Sequence, residues 1–203
     1  MNTTEGENED NNSKRWAAEL HDDDVDLFKQ PDGSHHGECP ICFLPMPLDG
    51  EKWAFLPCCS RNICMGCIYA NYISNKHDMA KAWGCPFCRE PAVNEEETKK
   101  RQMKRIKAND PAAISVMGTR LYHEGDYDTA FEYWTKAAEL GNAHAYYQLS
   151  AMYMIGLGVE RDEEKAVYHL EKAAIGGHPS ARHNLACVEG KNGNMERAVK
   201  HFI

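Results

Sequence analysis

The chain has 203 residues, of which 42% are hydrophobic and 27% charged, enough for one or two domains. No window approaches the roughly 18 consecutive apolar residues of a membrane span, and residues 1–10 are polar and acidic rather than signal-like. The net charge of −8 sits entirely in residues 1–38, which carry eleven acids and three bases, so the overall acidity describes a tail rather than a binding face.

Residues 1–35 read as a disordered acidic tail, Asn-rich and without apolar periodicity. It is read as a solvated leader, with Trp16, Leu20 and the Val25, Leu27 and Phe28 cluster as a short partner-binding segment in the alternative. The glycosylation matches at Asn2 and Asn11 are expected to be idle in an intracellular chain.

Residues 36–92 hold eight of the nine cysteines, in four pairs: Cys39/Cys42, Cys58/Cys59, Cys64/Cys67 and Cys85/Cys88. A compartment that keeps thiols reduced turns such pairs towards zinc rather than disulfides. Two thiolates two residues apart grip one tetrahedral ion, and each ion takes two pairs, so four pairs make two closed Zn2+ sites. Spacing alone leaves the pairing open, interleaved or sequential. A segment this short buries too little apolar surface to fold alone, so metal acts as its staple. Within 36–92 five acids balance five bases, which argues against zinc-dependent nucleic-acid binding.

A charged linker spans 93–108, with a helix expected over 94–107. There Glu95, Glu96 and Glu97 precede Lys99, Lys100 and Arg101 by four residues, the favourable order for ion pairs along a helix. Its basic run to Arg105 is read as a solvated helix face, with a nuclear localisation signal or nucleic-acid patch as the alternative. The expected location is therefore intracellular, with the cytoplasm favoured and the nucleus left open.

Residues 109–203 repeat. Ala113, Ala145 and Ala181 are each followed four residues on by Met117, Leu149 and Leu185; Ala130, Ala166 and Ala198 are followed by Trp134, Leu170 and Phe202. Ala137/Ala138 and Ala173/Ala174 extend the stripe, and Gly141 and Gly177 are expected to end those helices. The middle unit has four extra residues in its turn at 156–159. Each unit is a helix–turn–helix, and stacked units make an all-α solenoid. The third unit stops five residues after Ala198, which suggests further repeats beyond Ile203. Cys187, between Leu185 and Val188, reads as a small core residue.

The run Cys39-x-x-Cys42, Leu56-Pro57-Cys58-Cys59, Ile63-Cys64-x-x-Cys67-Ile68 and Cys85-Pro86-Phe87-Cys88-Arg89 resembles a RING finger. The resemblance implies a small cross-braced α+β module in which Cys39, Cys42, Cys64 and Cys67 hold one zinc and Cys58, Cys59, Cys85 and Cys88 the other. It departs from the family in lacking a histidine among the middle ligands. Arg61 aligns there but has no lone pair to give, so adjacent Cys58 and Cys59 must share a metal through a local turn. His77 is the next candidate ligand, with an exposed helix histidine as the plainer reading; His35 and His36 are taken as tail residues. The repeats resemble Sel-1-like repeats, relatives of the tetratricopeptide repeat, best over 149–177; such repeats bind protein segments.

What the RING resemblance implies is an E3 ubiquitin ligase that acts by positioning, docking a ubiquitin-conjugating enzyme and its ubiquitin without a covalent nucleophile. On that reading Ile41 and Pro86 contact the conjugating enzyme, Arg89 bridges to ubiquitin, and Tyr72 loosely matches an expected aromatic. The repeats would recruit the protein substrate or partner. The competing expectation is a non-catalytic, zinc-stapled adaptor.

Overall fold

The computed structural model describes residues 27–29 and 36–201. The expectations placed on Trp16, Leu20, Val25, His35, Phe202 and the two Asn-x-Ser/Thr matches lie outside those residues. The chain forms a small cysteine module, a bridging helix and three stacked helix pairs.

The cysteine module opens with an isolated bridge between Glu38 and Pro45 and a 3-10 turn over Gly50–Lys52. Strands β1 (Trp53–Leu56) and β2 (Arg61–Cys64) then form an antiparallel hairpin in which Trp53 faces Cys64 and Leu56 faces Arg61. Helix α1 (Met65–Ser74) follows directly, then the single turn α2 (Met79–Ala82). Only Cys39, Met46 and Ile63 form a buried cluster here. So thin a core makes the eight thiols the natural centre of the module.

Helix α3 (Glu95–Lys107) starts at Asn94, whose side chain accepts from the Glu97 N–H, and carries its three acids in the first turn and Lys104, Arg105 and Lys107 in the last, as the helix dipole favours. Lys99–Glu95 and Lys100–Glu96 pair along its exposed face at 2.7 and 3.1 Å, worth a few tenths of a kcal/mol each. The helix is not solvated all round, as its charge suggests. Gln102 and Ile106 are buried, and Ile106 joins the core of the repeats, because one apolar side chain facing a waiting stack is enough to dock it.

The helix pairs are α4 (Pro111–Glu124) with α5 (Tyr127–Glu139), α6 (Ala143–Ile155) with α7 (Glu163–Ile175), and α8 (Pro179–Lys191) with α9 (Met195–Lys200). Side chains of Asp110, Asp126, Asn142, Asp162 and His178 cap the first five, each accepting a backbone N–H two or three residues on. Gly141 and Gly177, at φ 83° and 79°, turn the chain out of α5 and α7. The longer turn of the middle pair accommodates its four extra residues.

The alanine stripes lie at the contacts between helices: Ala113, Ala130, Ala137, Ala145, Ala166, Ala173, Ala174 and Ala181 are fully buried. Trp134, 1% exposed, fills the first pair, and its indole N–H donates to the Ser115 carbonyl at 3.2 Å. It fits because Gly118 lies beneath it; a Cβ there would stand 2.8 Å from the ring. Cys187 is exposed rather than core. Leu185 faces inward, and a residue two further on is rotated by about 200° to the opposite side of the helix.

Two side chains from the assigned tail are likewise ordered against the repeats. Leu27 is 3% exposed within the cluster of Val167, Leu170, Ala173, Ala174, Ala181 and Leu185, and Phe28 packs beside it. Apolar bulk overrides the acidic composition around it. Among the described residues, no helix is long and apolar enough to cross a membrane.

Candidate metal centre

Four of the eight cysteines reach each of two points. Cys39, Cys42, Cys64 and Cys67 form one group and Cys58, Cys59, Cys85 and Cys88 the other, with ligand atoms within 4.8 Å of one another. The first and third pairs thus converge, as do the second and fourth. The hairpin explains why: β2 delivers Cys64 to one end while the turn at 57–60 holds Cys58 and Cys59 at the other. That turn, with Ser60 at φ 52°, lets adjacent cysteines face one cluster.

The two outer pairs are built alike. Phe43 N–H donates to the Cys39 carbonyl at 2.8 Å and Cys39 N–H to the Leu44 carbonyl at 2.9 Å; Arg89 and Cys85 repeat this at 2.9 Å and Cys85 and Glu90 at 2.8 Å. Both turns place the residue after the second cysteine in the left-handed region, Phe43 at φ 58° and Arg89 at φ 61°. Tight packing fixes the second: a Cβ on Gly84 would stand 2.8 Å from the Glu90 carbonyl oxygen.

Sulfur spacing provides a test of metal fit. Four sulfurs at about 2.3 Å from a tetrahedral zinc stand about 3.8 Å apart. Cys42 and Cys64 are 3.8 Å apart, Cys59 and Cys85 3.8 Å, and Cys58 and Cys88 3.4 Å. Disulfide sulfurs lie about 2.05 Å apart, so these are free thiols arranged at coordination distance.

Electrostatics points the same way. Burial opposes ionisation of Cys39, but backbone N–H groups around it, from Cys42, Cys64 and Ile41, bring its pKa down to about 6. Burial and the neighbouring thiols then push Cys67 far up, and burial raises Cys64. In the second group Cys88 falls, burial being outweighed by the Glu90 backbone and the Cys58 thiol. Cys59 rises to about 12 through burial and the Cys85 charge, and Cys58 rises further through burial and its bonds to Cys88 and Cys85. Four thiolates crowded this closely need a cation to be anionic together. The two clusters could each hold a metal ion, and the all-sulfur donor set suits zinc.

His77 and Arg61 are exposed and outside both groups. His36 instead packs against Trp53, with ring centres 4.5 Å apart and the planes tilted by 49°, and burial lowers its pKa. Ile41, Pro86 and Arg89 line one open groove of about 450 Å³ beside the clusters, together with Ala70, Asn71 and Ser74 of α1. Tyr72 does not line it; its ring packs on Trp83 at 5.0 Å.

Asn71 escaped sequence reasoning. Its amide donates to the Lys81 and Ala82 carbonyls at 3.0 and 3.1 Å, tying α1 to the end of α2 just before Cys85. Its only local signal is a mid-helix asparagine, a poor helix former. Arg105 is a second such residue: Nη2 donates to the Cys58 carbonyl at 2.7 Å, while Arg101 pairs with Glu90 at 3.3 Å. These bonds, with Phe55 packed on the core of the first repeats, join the cysteine module to the solenoid.

Residues 111–142 and 143–178 match the Sel1 repeat family, one match for each of the first two helix pairs. The chain therefore carries Sel1 repeats, a class that mediates protein–protein interaction. Among solved structures, a Sel1 repeat protein from Oxalobacter formigenes is similar at 24% identity and a TM-score of 0.49, over 66% of this chain. The chain spans about half of that protein, 54% of its length.

Proposed function

We propose that the chain is a RING-type E3 ubiquitin ligase whose cysteine module holds two Zn2+ and whose Sel1 repeats recruit a protein substrate. The observation that carries this reading is the groove shared by Ile41, Pro86 and Arg89. Ile41 is 37% exposed, an apolar surface available to a conjugating enzyme. Zinc enclosed by four thiolates has no open position for water, so its contribution would be to fold and rigidity.

On this reading the module accelerates transfer by orientation. Ile41 and Pro86 seat the conjugating enzyme, and Arg89, held by the Cys85 turn, donates hydrogen bonds towards ubiquitin. A guanidinium suits that bridge because it stays charged and offers several donors in one plane. Rigidity around the groove comes from Asn71, whose bonds hold α1 and the Cys85 turn together.

An autoubiquitination assay of the purified chain with a panel of conjugating enzymes tests this, alongside Ile41→Ala and Arg89→Ala with zinc measured on each. Ubiquitin chains that disappear in both variants while two zincs per chain remain support the ligase. Absence of activity across the panel, with zinc bound, would leave the adaptor, which rests on the repeats alone.

A further inference from the structure

We infer that the cleft formed by α7, α8 and α9 is a docking site for a short peptide in which acidic residues precede a Leu-Phe pair, and that the chain's own Leu27–Lys29 segment occupies it in cis. This inference stands independently of the ligase reading.

Three successive residues use the cleft in three ways. Leu27 is buried among the apolar side chains of α7 and α8. Phe28 lies 4.8 Å from the His201 ring, with the Arg197 guanidinium and the Lys200 ammonium 5.2 and 5.7 Å from its ring centre. The Lys29 carbonyl accepts a hydrogen bond from Arg182 Nη2. Anchoring an apolar side chain, an aromatic face and a main-chain carbonyl together is what a peptide-binding cleft does.

The cleft also has unused polar capacity. Arg182 is only 7% exposed, yet its Nε and Nη1 have no hydrogen-bond partner among the described residues, and neither has either ring nitrogen of His201. A buried guanidinium with open donors favours a carboxylate, which it binds in two parallel bonds. The sequence before Leu27 is Asp22-Asp23-Asp24-Val25-Asp26, opposite in charge to Arg182 with its open donors and to Arg197 and Lys200, which pair with Glu189 at 2.9 Å and Glu196 at 3.0 Å.

Only six residues separate Lys29 from the cysteine module at His36. So short a tether gives the cis segment an effective concentration on the order of millimolar. A partner peptide must displace it, and its apparent affinity falls by the fraction of time the cleft is filled.

The test is fluorescence anisotropy of a labelled peptide of the chain's own residues 22–30, titrated with the full chain, with Phe28→Ala, and with Phe28→Ala combined with Arg182→Gln or with Lys200→Glu. Phe28 is half-buried and Lys200 exposed, so those changes leave the fold intact; a thermal melt checks each variant. The expected result is binding about ten-fold or more tighter to Phe28→Ala than to the unaltered chain. Either second substitution should remove that gain, and a peptide lacking Leu27 and Phe28 should not bind. Equal affinity for the unaltered chain and Phe28→Ala, no binding to either, or indifference to Lys200→Glu would overturn the inference.

Discussion

Chelating the metal should unfold the cysteine module and spare the repeats. Met46 and Ile63 are its buried aliphatic side chains beyond the ligand cluster, together worth roughly 3–6 kcal/mol. Structural zinc contributes about 10–16 kcal/mol of apparent binding energy per site, so its removal decides the outcome. Helices α1 and α2 hold 14 of the 99 residues in the named α-helices, and the far-ultraviolet helical signal should fall by about a seventh. The repeats lose the Phe55 contact and the Arg105–Cys58 bond, about 1–2 kcal/mol, which lowers their melting midpoint by roughly 5–10 °C. Circular dichroism with hydrogen exchange, with and without a strong zinc chelator, reads both effects. Loss of the whole helical signal at once, or continued protection of β1 and β2 amides in chelator, would refute the reasoning.

Gly118→Ala places a methyl group 2.8 Å from the Trp134 ring; overpacking at about 1–3 kcal/mol exceeds the roughly 1 kcal/mol gained in helix propensity, so the melting temperature should fall by several degrees, and an unchanged or raised one would contradict the packing described. His144 has its pKa lowered to about 4, by burial first and then by the charge of His36. It stacks on His178 at 5.7 Å and pairs with Gln148 at 3.1 Å. Unfolded, it titrates near 6.5, so between pH 6.5 and 4 the unfolded chain binds the extra proton and stability falls as pH falls. The effect is on the order of 2 kcal/mol from pH 7 to pH 5; His36, His169 and His201, lowered mainly by burial, add in the same direction. Denaturant midpoints at both pH values should converge more closely in His144→Leu than in the native chain, and an identical pH slope in the two would count against it.

The repeats were readable because small residues recurring at helical spacing are a local signal, and every alanine of the first two patterns among the described residues is buried. Metal-ligand chemistry was readable for the same reason, since each Cys-x-x-Cys declares itself within four residues. Pairing between distant cysteines was not, because it depends on the hairpin carrying Cys58 and Cys64 to opposite ends. Asn71 and Arg105 act on carbonyls 10 and 47 residues away, which no local pattern reveals. Cys187 was misread by sequence adjacency to Leu185, where helical angle decides. Leu27 and Phe28 stand out in the sequence as an apolar cluster, but the acids around them favour a solvated leader, and no local pattern reveals that they pack on repeat helices some 140 residues on.

The most direct measurement is single-turnover discharge of ubiquitin from a charged conjugating enzyme to free lysine, which needs no substrate of the repeats. The zinc-loaded chain should accelerate discharge, Arg89→Ala should lose most of the acceleration while still binding the enzyme, and Ile41→Ala should lose binding as well. Discharge no faster than without the chain, while the enzyme still binds the groove, would contradict the account.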